Sequence, residues 1–362
     1  MRTVEGRILT PTGWVSGRLH CGAAIRSIEP RDDARDDRFV LPGFVDLHVH
    51  GGGGADCMTG EDAVRTMSRF HARHGTTSLL ATTVTAPADD IRAAFRGIAA
   101  VVEAPERGGA RVLGAHLEGP FISPDALGAQ PPHAISPDLD LVAELAAIAP
   151  VRVATMAPEI DPEGLLLAAL CRLGCRAQIG HTTCTYAQAR TALARGAAGF
   201  THLFNAMTGL QHRKPGAVGC ALAHGDWAEM IFDLLHVEEG TVLAALRAVP
   251  RLYGITDAVA ATGMPDGEYR LGRHLTHKRG DCVRLADGTL AGSALTMALA
   301  LRNLVRIGLP LAEASRRLSM LPADYLGLAE RGRIVPGAAA DLVVVDGTGE
   351  LLDVLAEGSP VA

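Results

Sequence analysis

In "LPGFVDLHVHGGGGAD", residues 41–56, His48 and His50 leave an apolar run together. Residues two apart on a strand share a face, so the two imidazoles converge on one point. The four glycines that follow allow a tight turn and a close backbone approach. A single histidine in such a place is more often a hydrogen-bonded loop or core group than a ligand, so the other apolar runs decide the matter. "RVLGAHLEGP" delivers His116 or Glu118 by alternation, and "APE" ends at Glu159. Later runs end at His181, at His202, at Asp233 and His236, and at Asp257. Imidazole and carboxylate without a cysteine cluster suit Zn²⁺ or Fe²⁺ better than Ca²⁺ or Mg²⁺. A protein shell that leaves one position open admits a water, whose pKa such an ion lowers to about 7, so the expected chemistry is metal-assisted hydrolysis.

Groups so far apart in the chain need a scaffold that gathers strand ends. Apolar or β-branched runs recur near 44–49, 77–84, 111–117, 151–156, 176–180, 198–202, 228–234 and 251–257. Helical patterns at 61–74, 88–103, 138–149, 163–174, 185–195 and 237–248 separate most of them. Eight strands alternating with helices predict an α/β chain folded as a (β/α)8 TIM-type barrel, with the chemistry at the C-terminal strand ends. A doubly wound sheet is the alternative, but its phosphate fingerprints are missing. Only two lysines exist, Lys214 and Lys278, and neither follows a glycine, so there is no Walker A loop. Neither lies on a predicted barrel strand, which argues against the lysine-bridged metal pair of cyclic amidases. Glu118 can fill that role unmodified. Residues 1–41 hold extended pieces broken by Pro, Gly and the charged run "EPRDDARDDR", and 332–362 hold turn, Pro-Gly and strand. The two ends are expected to meet in one small β domain beside a barrel of 42–331.

Composition narrows the partners. At 362 residues and 48% hydrophobic, the chain can bury a large core plus a small one. A net charge of -6 without Lys/Arg runs gives no field for a polyanion, so no nucleic-acid partner is expected. No stretch offers the roughly 20 apolar residues of a membrane span, and no apolar signal core opens the chain, so no membrane contact and a cytoplasmic location are expected. Seven cysteines, odd in number and scattered, read as reduced thiols. Cys171 and Cys175 are expected to share a helix face and pack. Cys57 and Cys184, near the histidines, are assigned no chemistry.

With these residues in view, the chain resembles the N-acetylglucosamine-6-phosphate deacetylases, a branch of the amidohydrolase superfamily. The similarity runs over nearly the whole length, through "PGFVDLHVHGGGGAD", "HLEGPFISPDALGAQ", "GHTTCTYAQA", "THLFNAMTGLQHRKPGAVG", "TDAVAATGMPDGEYRLG", "LAGSALTM" and "GRIVPGAAADLVVVD". "HLEGPF" and "THLFNAM" set this branch apart from amide hydrolases at large. The resemblance implies a metal-bearing barrel with a small β-sandwich made from both termini. It implies Glu118, His181 and His202 as core metal ligands, and His48 and His50 as a second position, so that one or two divalent ions are expected. Asp257 matches the aspartate that takes a proton from the attacking water and then gives it to the departing amine. His236, Asn205 and Ala206 resemble substrate contacts, and Leu290, Ala291 and Gly292 a substrate-facing backbone segment. Arg213 resembles an arginine offered across a homodimer interface to a phosphate, an anion that a guanidinium fork suits.

The implied reaction is deacetylation of N-acetyl-D-glucosamine 6-phosphate. The galacto epimer is the close alternative; a non-catalytic scaffold is a remote one, since a scaffold has no need of the ligands and the aspartate. Two positions depart from the family pattern. Gln130 stands where some relatives have a histidine that polarises the carbonyl, and glutamine can only donate a hydrogen bond there. Leu234 in "Asp233-Leu234-Leu235-His236" replaces a glycine where the sugar is expected to approach.

Overall fold

The computed structural model describes residues 1–31 and 37–362; half of the charged run noted above, residues 32–36, lies outside them. Eight parallel strands stand side by side in chain order: Phe44–Val49, Thr76–Thr83, Arg111–Glu118, Val151–Met156, Arg176–Ile179, Gly199–Phe200, Trp227–Ile231 and Arg251–Ile255. Each overlaps the apolar run that predicted it. Parallel strands covered on both faces read as continuous apolar runs, and Thr76–Thr83 is buried at every position. The six predicted helices appear, with Leu165–Arg172 and Glu239–Ala248 somewhat shorter than expected. A seventh, Gly216–His224, had no signal: its small residues are buried on nearly every side, so no amphipathic period marks it.

The barrel is nearly closed, and its seam is polar. The Asp257 N–H donates to His48 O at 2.9 Å, while the Thr256 hydroxyl and N–H donate to the buried Asp46 carboxylate at 2.6 and 3.1 Å. After the eighth strand the chain forms a three-stranded antiparallel meander, Gly267–Leu271, His274–Arg279 and Cys282–Arg284. It packs on a small core of its own that includes Val84, Val259, Leu271 and Val283. Helices Met297–Arg306, Leu311–Leu318 and Met320–Tyr325 then return to the barrel wall.

Both ends of the chain share one seven-stranded sheet, in the order Ser359–Pro360, Leu351–Ala356, Leu342–Val345, Phe39–Pro42, Arg2–Thr10, Gly13–Cys21, Ile25–Pro30. Strand alternation splits its loyalties. Val343 and Val345 join the barrel core, whereas Leu342 and Val344 join a separate cluster with Ile8, Leu19 and Val40. Charges pin this layer to the barrel: Arg331 donates to Asp341 and to Glu357, both at 2.6 Å, and Arg111 on the third barrel strand donates to Glu357 at 2.8 Å.

One expectation fails. The helix carrying Cys171 stops at Arg172, and Cys175 follows a turn at Gly174, just before the next strand begins at Arg176. Cys171 is exposed and Cys175 buried, so they share no helix face.

Candidate active site

Strands one, three, five, six and eight deliver their terminal polar groups to one place. Glu118 is the hub. Its Oε1 lies 3.1 Å from His181 Nε2, 3.0 Å from His202 Nε2 and 3.4 Å from His48 Nε2. Its Oε2 lies 3.2 Å from His50 Nε2 and accepts from Gln130 Nε2 at 2.5 Å. Asp257 Oδ1 lies 3.2 Å from His50 Nε2 and 3.5 Å from His48 Nε2. At the mouth the groups form two neighbouring sets, Glu118 with His181 and His202, and His48 with His50 and Asp257; a third set joins His48 to His116 and Glu229.

The protons on these rings can be assigned from their outer partners. His50 Nδ1 faces the Thr82 carbonyl at 2.9 Å and His181 Nδ1 faces the Ala126 carbonyl at 2.9 Å. A carbonyl only accepts, so each Nδ1 carries hydrogen and Nε2 is the ring nitrogen left to face inward. His181 Nε2 and His202 Nε2 then face each other at 3.1 Å with carboxylate oxygens close by. Ring nitrogens and carboxylates gathered around one point repel unless protons or a cation sit among them, and N/O donors of this kind fit Zn²⁺ or Fe²⁺. The same field acts on protons. Burial disfavours a charged His50, yet the Asp257 and Glu118 carboxylates offset that and lift its pKa to about 9. For Asp257, burial pushes the carboxyl up, but the bond from His50 and the charges of His48 and His50 hold it below its ordinary value.

Backbone strain concentrates here. Among the described residues, the non-glycines with positive φ are His181 (45°), His202 (25°), Phe204 (82°), Ala206 (49°), Leu234 (63°), Asp257 (52°) and Glu357 (46°). All but Glu357 follow barrel strands at the mouth. Each costs about 1–3 kcal/mol, a cost that persists where the surroundings over-determine the geometry. The surroundings do so. The Thr182 and Thr183 hydroxyls donate to Glu159 at 2.5 and 3.0 Å, bracing the turn after His181, and a Thr185–Gln188 capping box starts the next helix. The glycines after His50 answer a packing demand: a Cβ on Gly52 would sit 2.6 Å from Phe70 Cδ1 and 2.7 Å from His71 Nε2. Gly53 and Gly54 then turn with φ 61° and 85°.

Above the cluster opens a cavity of about 400 Å³. Gln130, Asn205, Ala206, His236, Leu290 and Gly292 line it. Ala291 does not; it turns into the meander's core. Arg213 is exposed on the Gln211–Lys214 turn and does not line the cavity of its own chain. Both ends of the Gln130 amide are occupied, since its Oε1 accepts from Thr85 N–H at 2.7 Å. Asp233 accepts from His236 Nδ1 at 2.6 Å; burial opposes charge on that ring, but the bond raises its pKa. Leu234 does not line the cavity but packs partly against the core. Its φ is what a glycine would adopt freely, which accounts for the residue expected there. His116 is not at the mouth. It lies in the barrel interior, Nδ1 to Leu47 O at 3.0 Å and Nε2 to Thr155 Oγ1 at 2.8 Å, and burial drives its pKa down to about 4. Two groups had escaped notice: Arg284, a cation on the cavity wall, and Glu229, buried behind His48. An acidic residue inside "WAEMI" was the available signal for the second.

Comparison with known proteins bears on the chain as a whole. The model of the amidohydrolase family matches residues 39–360. The chain belongs to the amidohydrolase family. It is accordingly a hydrolase acting on an amide bond. This amidohydrolase is 39% identical over 357 residues to the N-acetylgalactosamine-6-phosphate deacetylase of Escherichia coli O157:H7, covering 94% of this chain and 93% of that one. It is 38% identical over 318 residues to the N-acetylglucosamine-6-phosphate deacetylase of Lysinibacillus sphaericus, covering 85% and 82%. An aspartate-to-alanine variant of the Mycobacterium smegmatis N-acetyl-D-glucosamine-6-phosphate deacetylase, solved with N-acetyl-D-glucosamine 6-phosphate, superposes with a TM-score of 0.93 at 34% identity, covering 99% of each chain. Among the described residues of this amidohydrolase, no helix is long and apolar enough to cross a membrane.

Proposed function

We propose that the chain removes the acetyl group of N-acetyl-D-glucosamine 6-phosphate, giving D-glucosamine 6-phosphate and acetate. The carrying observation is the inward convergence of the Glu118, His181 and His202 donors beside an ionised Asp257 at the floor of a sugar-sized cavity. Glu118, His181 and His202 would hold one divalent ion, and His48 with His50 a second. Such an ion polarises the acetyl carbonyl and makes a water acidic near neutral pH.

The chain's own groups do the rest. The Asp257 carboxylate takes a proton from the attacking water as the O–C bond forms. It then gives that proton to the amide nitrogen as the C–N bond breaks, so the amine leaves neutral. Asp257 is held for this from both sides of its backbone, its N–H on His48 O and its carbonyl accepting from Ser293 N–H at 2.8 Å. Gln130 steadies the Glu118 carboxylate. His236, kept cationic nearer neutrality by Asp233, faces the substrate with Asn205, Ala206 and the Leu290–Gly292 segment. Arg213 reaches the phosphate of the neighbouring subunit in a cytoplasmic homodimer, and Arg284 adds positive charge within one chain.

Acetate release from N-acetylglucosamine 6-phosphate, its galacto epimer and the unphosphorylated sugar tests the assignment. Strong preference for the gluco phosphate is expected. The identity to the galactosamine relative favours the epimer as a second reading, and preference for it would keep the mechanism and change the substrate. Asp257→Asn should lower kcat by about 10²–10⁴ with metal retained; an unchanged kcat removes Asp257 from the reaction. Light scattering that finds an active monomer removes the cross-subunit role of Arg213.

A further inference from the structure

Behind the inward-facing rings lies a carboxylate that the reaction does not use. Glu229 sits mid-strand in Trp227–Ile231 and is fully buried. Its Oε2 accepts the His48 Nδ1–H at 3.0 Å and the His202 backbone N–H at 3.3 Å. Its Oε1 accepts the Tyr253 hydroxyl at 3.2 Å. One oxygen therefore touches a member of each ligand set, His48 from one and His202 from the other.

The barrel interior is built to hold that oxygen still. Gln178 Nε2 donates to the Tyr253 and Tyr325 hydroxyls at 2.9 and 3.1 Å, and the Thr201 hydroxyl donates to Gln178 Oε1 at 2.8 Å. Thr155 Oγ1 lies 2.7 Å from Thr201 Oγ1 and 2.8 Å from His116 Nε2. His116 Nδ1–H closes the circuit on the carbonyl of Leu47, the neighbour of His48. Removing a carboxylate from water is unfavourable unless its bonds are made, and here they are made to a ring that must choose a tautomer. An ionised carboxylate only accepts, so His48 keeps hydrogen on Nδ1 and Nε2 is the ring nitrogen left to face the cavity.

We propose that Glu229 is a positioning residue that fixes His48 in its metal-binding tautomer and ties it to His202, so that the second ion is held in register with the first. The proposal rests on the reading of His48 and His50 as a metal position. Its test uses the full chain, stripped with chelator and titrated with Zn²⁺ alone against a chromophoric competitor, in wild type, Glu229→Gln and Glu229→Met. Near-UV circular dichroism and melting temperature establish that each variant is folded. The wild type is expected to bind two ions. The weaker ion should lose about tenfold affinity in Glu229→Gln and up to about a hundredfold in Glu229→Met, with the tighter ion changed much less. If Glu229→Met does not fold, Glu229→Gln decides alone. Wild-type affinity for both ions in Glu229→Gln overturns the proposal, and so does an equal loss of both with a lowered melting temperature, the mark of a merely structural group. A wild type that binds one ion while releasing acetate overturns the second metal position and this proposal together, but leaves the deacetylase reading standing.

Discussion

His71 lies under the glycine turn that carries His50, and its replacement should change how the chain tolerates acid. The ring is fully buried; its Nε2–H donates to Gly51 O at 2.8 Å, and its Nδ1 has no partner. Burial, helped a little by the charge of His74, pulls its pKa down to about 4. The folded chain keeps the ring neutral to about that pH, whereas the unfolded chain takes up a proton near 6.5. Between those values the unfolded state binds more protons, so stability present above about pH 6.5 is lost as pH falls toward 4. Linkage makes the loss about 2 kcal/mol at pH 5 relative to pH 7.5, and about 3 kcal/mol once pH lies below both values. His71→Gln keeps a donor for Gly51 and removes the titration. Urea unfolding of both proteins at about pH 5 and pH 7.5, at equal metal loading, should show the variant gaining about 2 kcal/mol on the wild type at the lower pH. His116, pushed to about 4 by its own burial, is common to both and cancels. An equal difference between the two proteins at both pH values would refute the reasoning.

Leu234→Gly should relieve the positive φ of 63° without opening the cavity, whose wall does not include that side chain. Steady-state kinetics should find KM within about twofold of wild type, and a larger change would mean that the sugar does touch residue 234. Arg331→Met leaves Asp341, 3% exposed, without its cation beside Glu357. Denaturant unfolding should register a loss of about 3 kcal/mol, and a loss below 1 kcal/mol would deny that this pair clamps the terminal sheet to the barrel.

The strands were legible because a parallel barrel buries both faces of each, leaving apolar or β-branched runs. Helix Gly216–His224 was not, because a helix buried nearly all round shows no period. Depth was the harder quantity. His116 and Glu118 share a face, and alternation cannot separate them. At about 3.3 Å per residue, Glu118 stands roughly 7 Å nearer the mouth, which is the difference between a carboxylate in the mouth cluster and a core imidazole. Glu229 shows the other limit: its significance comes from His48, 181 residues away in the chain, and no local pattern encodes that distance. The expectation for Arg213 comes from resemblance alone; within one chain it faces solvent.

The meander of residues 267–284 contributes no barrel strand and carries its own small core, yet it places Leu271 and Arg284 on the cavity wall. The meander thus adds two residues to the cavity wall from outside the barrel. Selection on a new amino sugar could rewrite this flap, lengthening it or changing its charge, while the five strand ends below stay as they are. For an engineer the flap is the cassette to exchange, and the strand ends are the chassis.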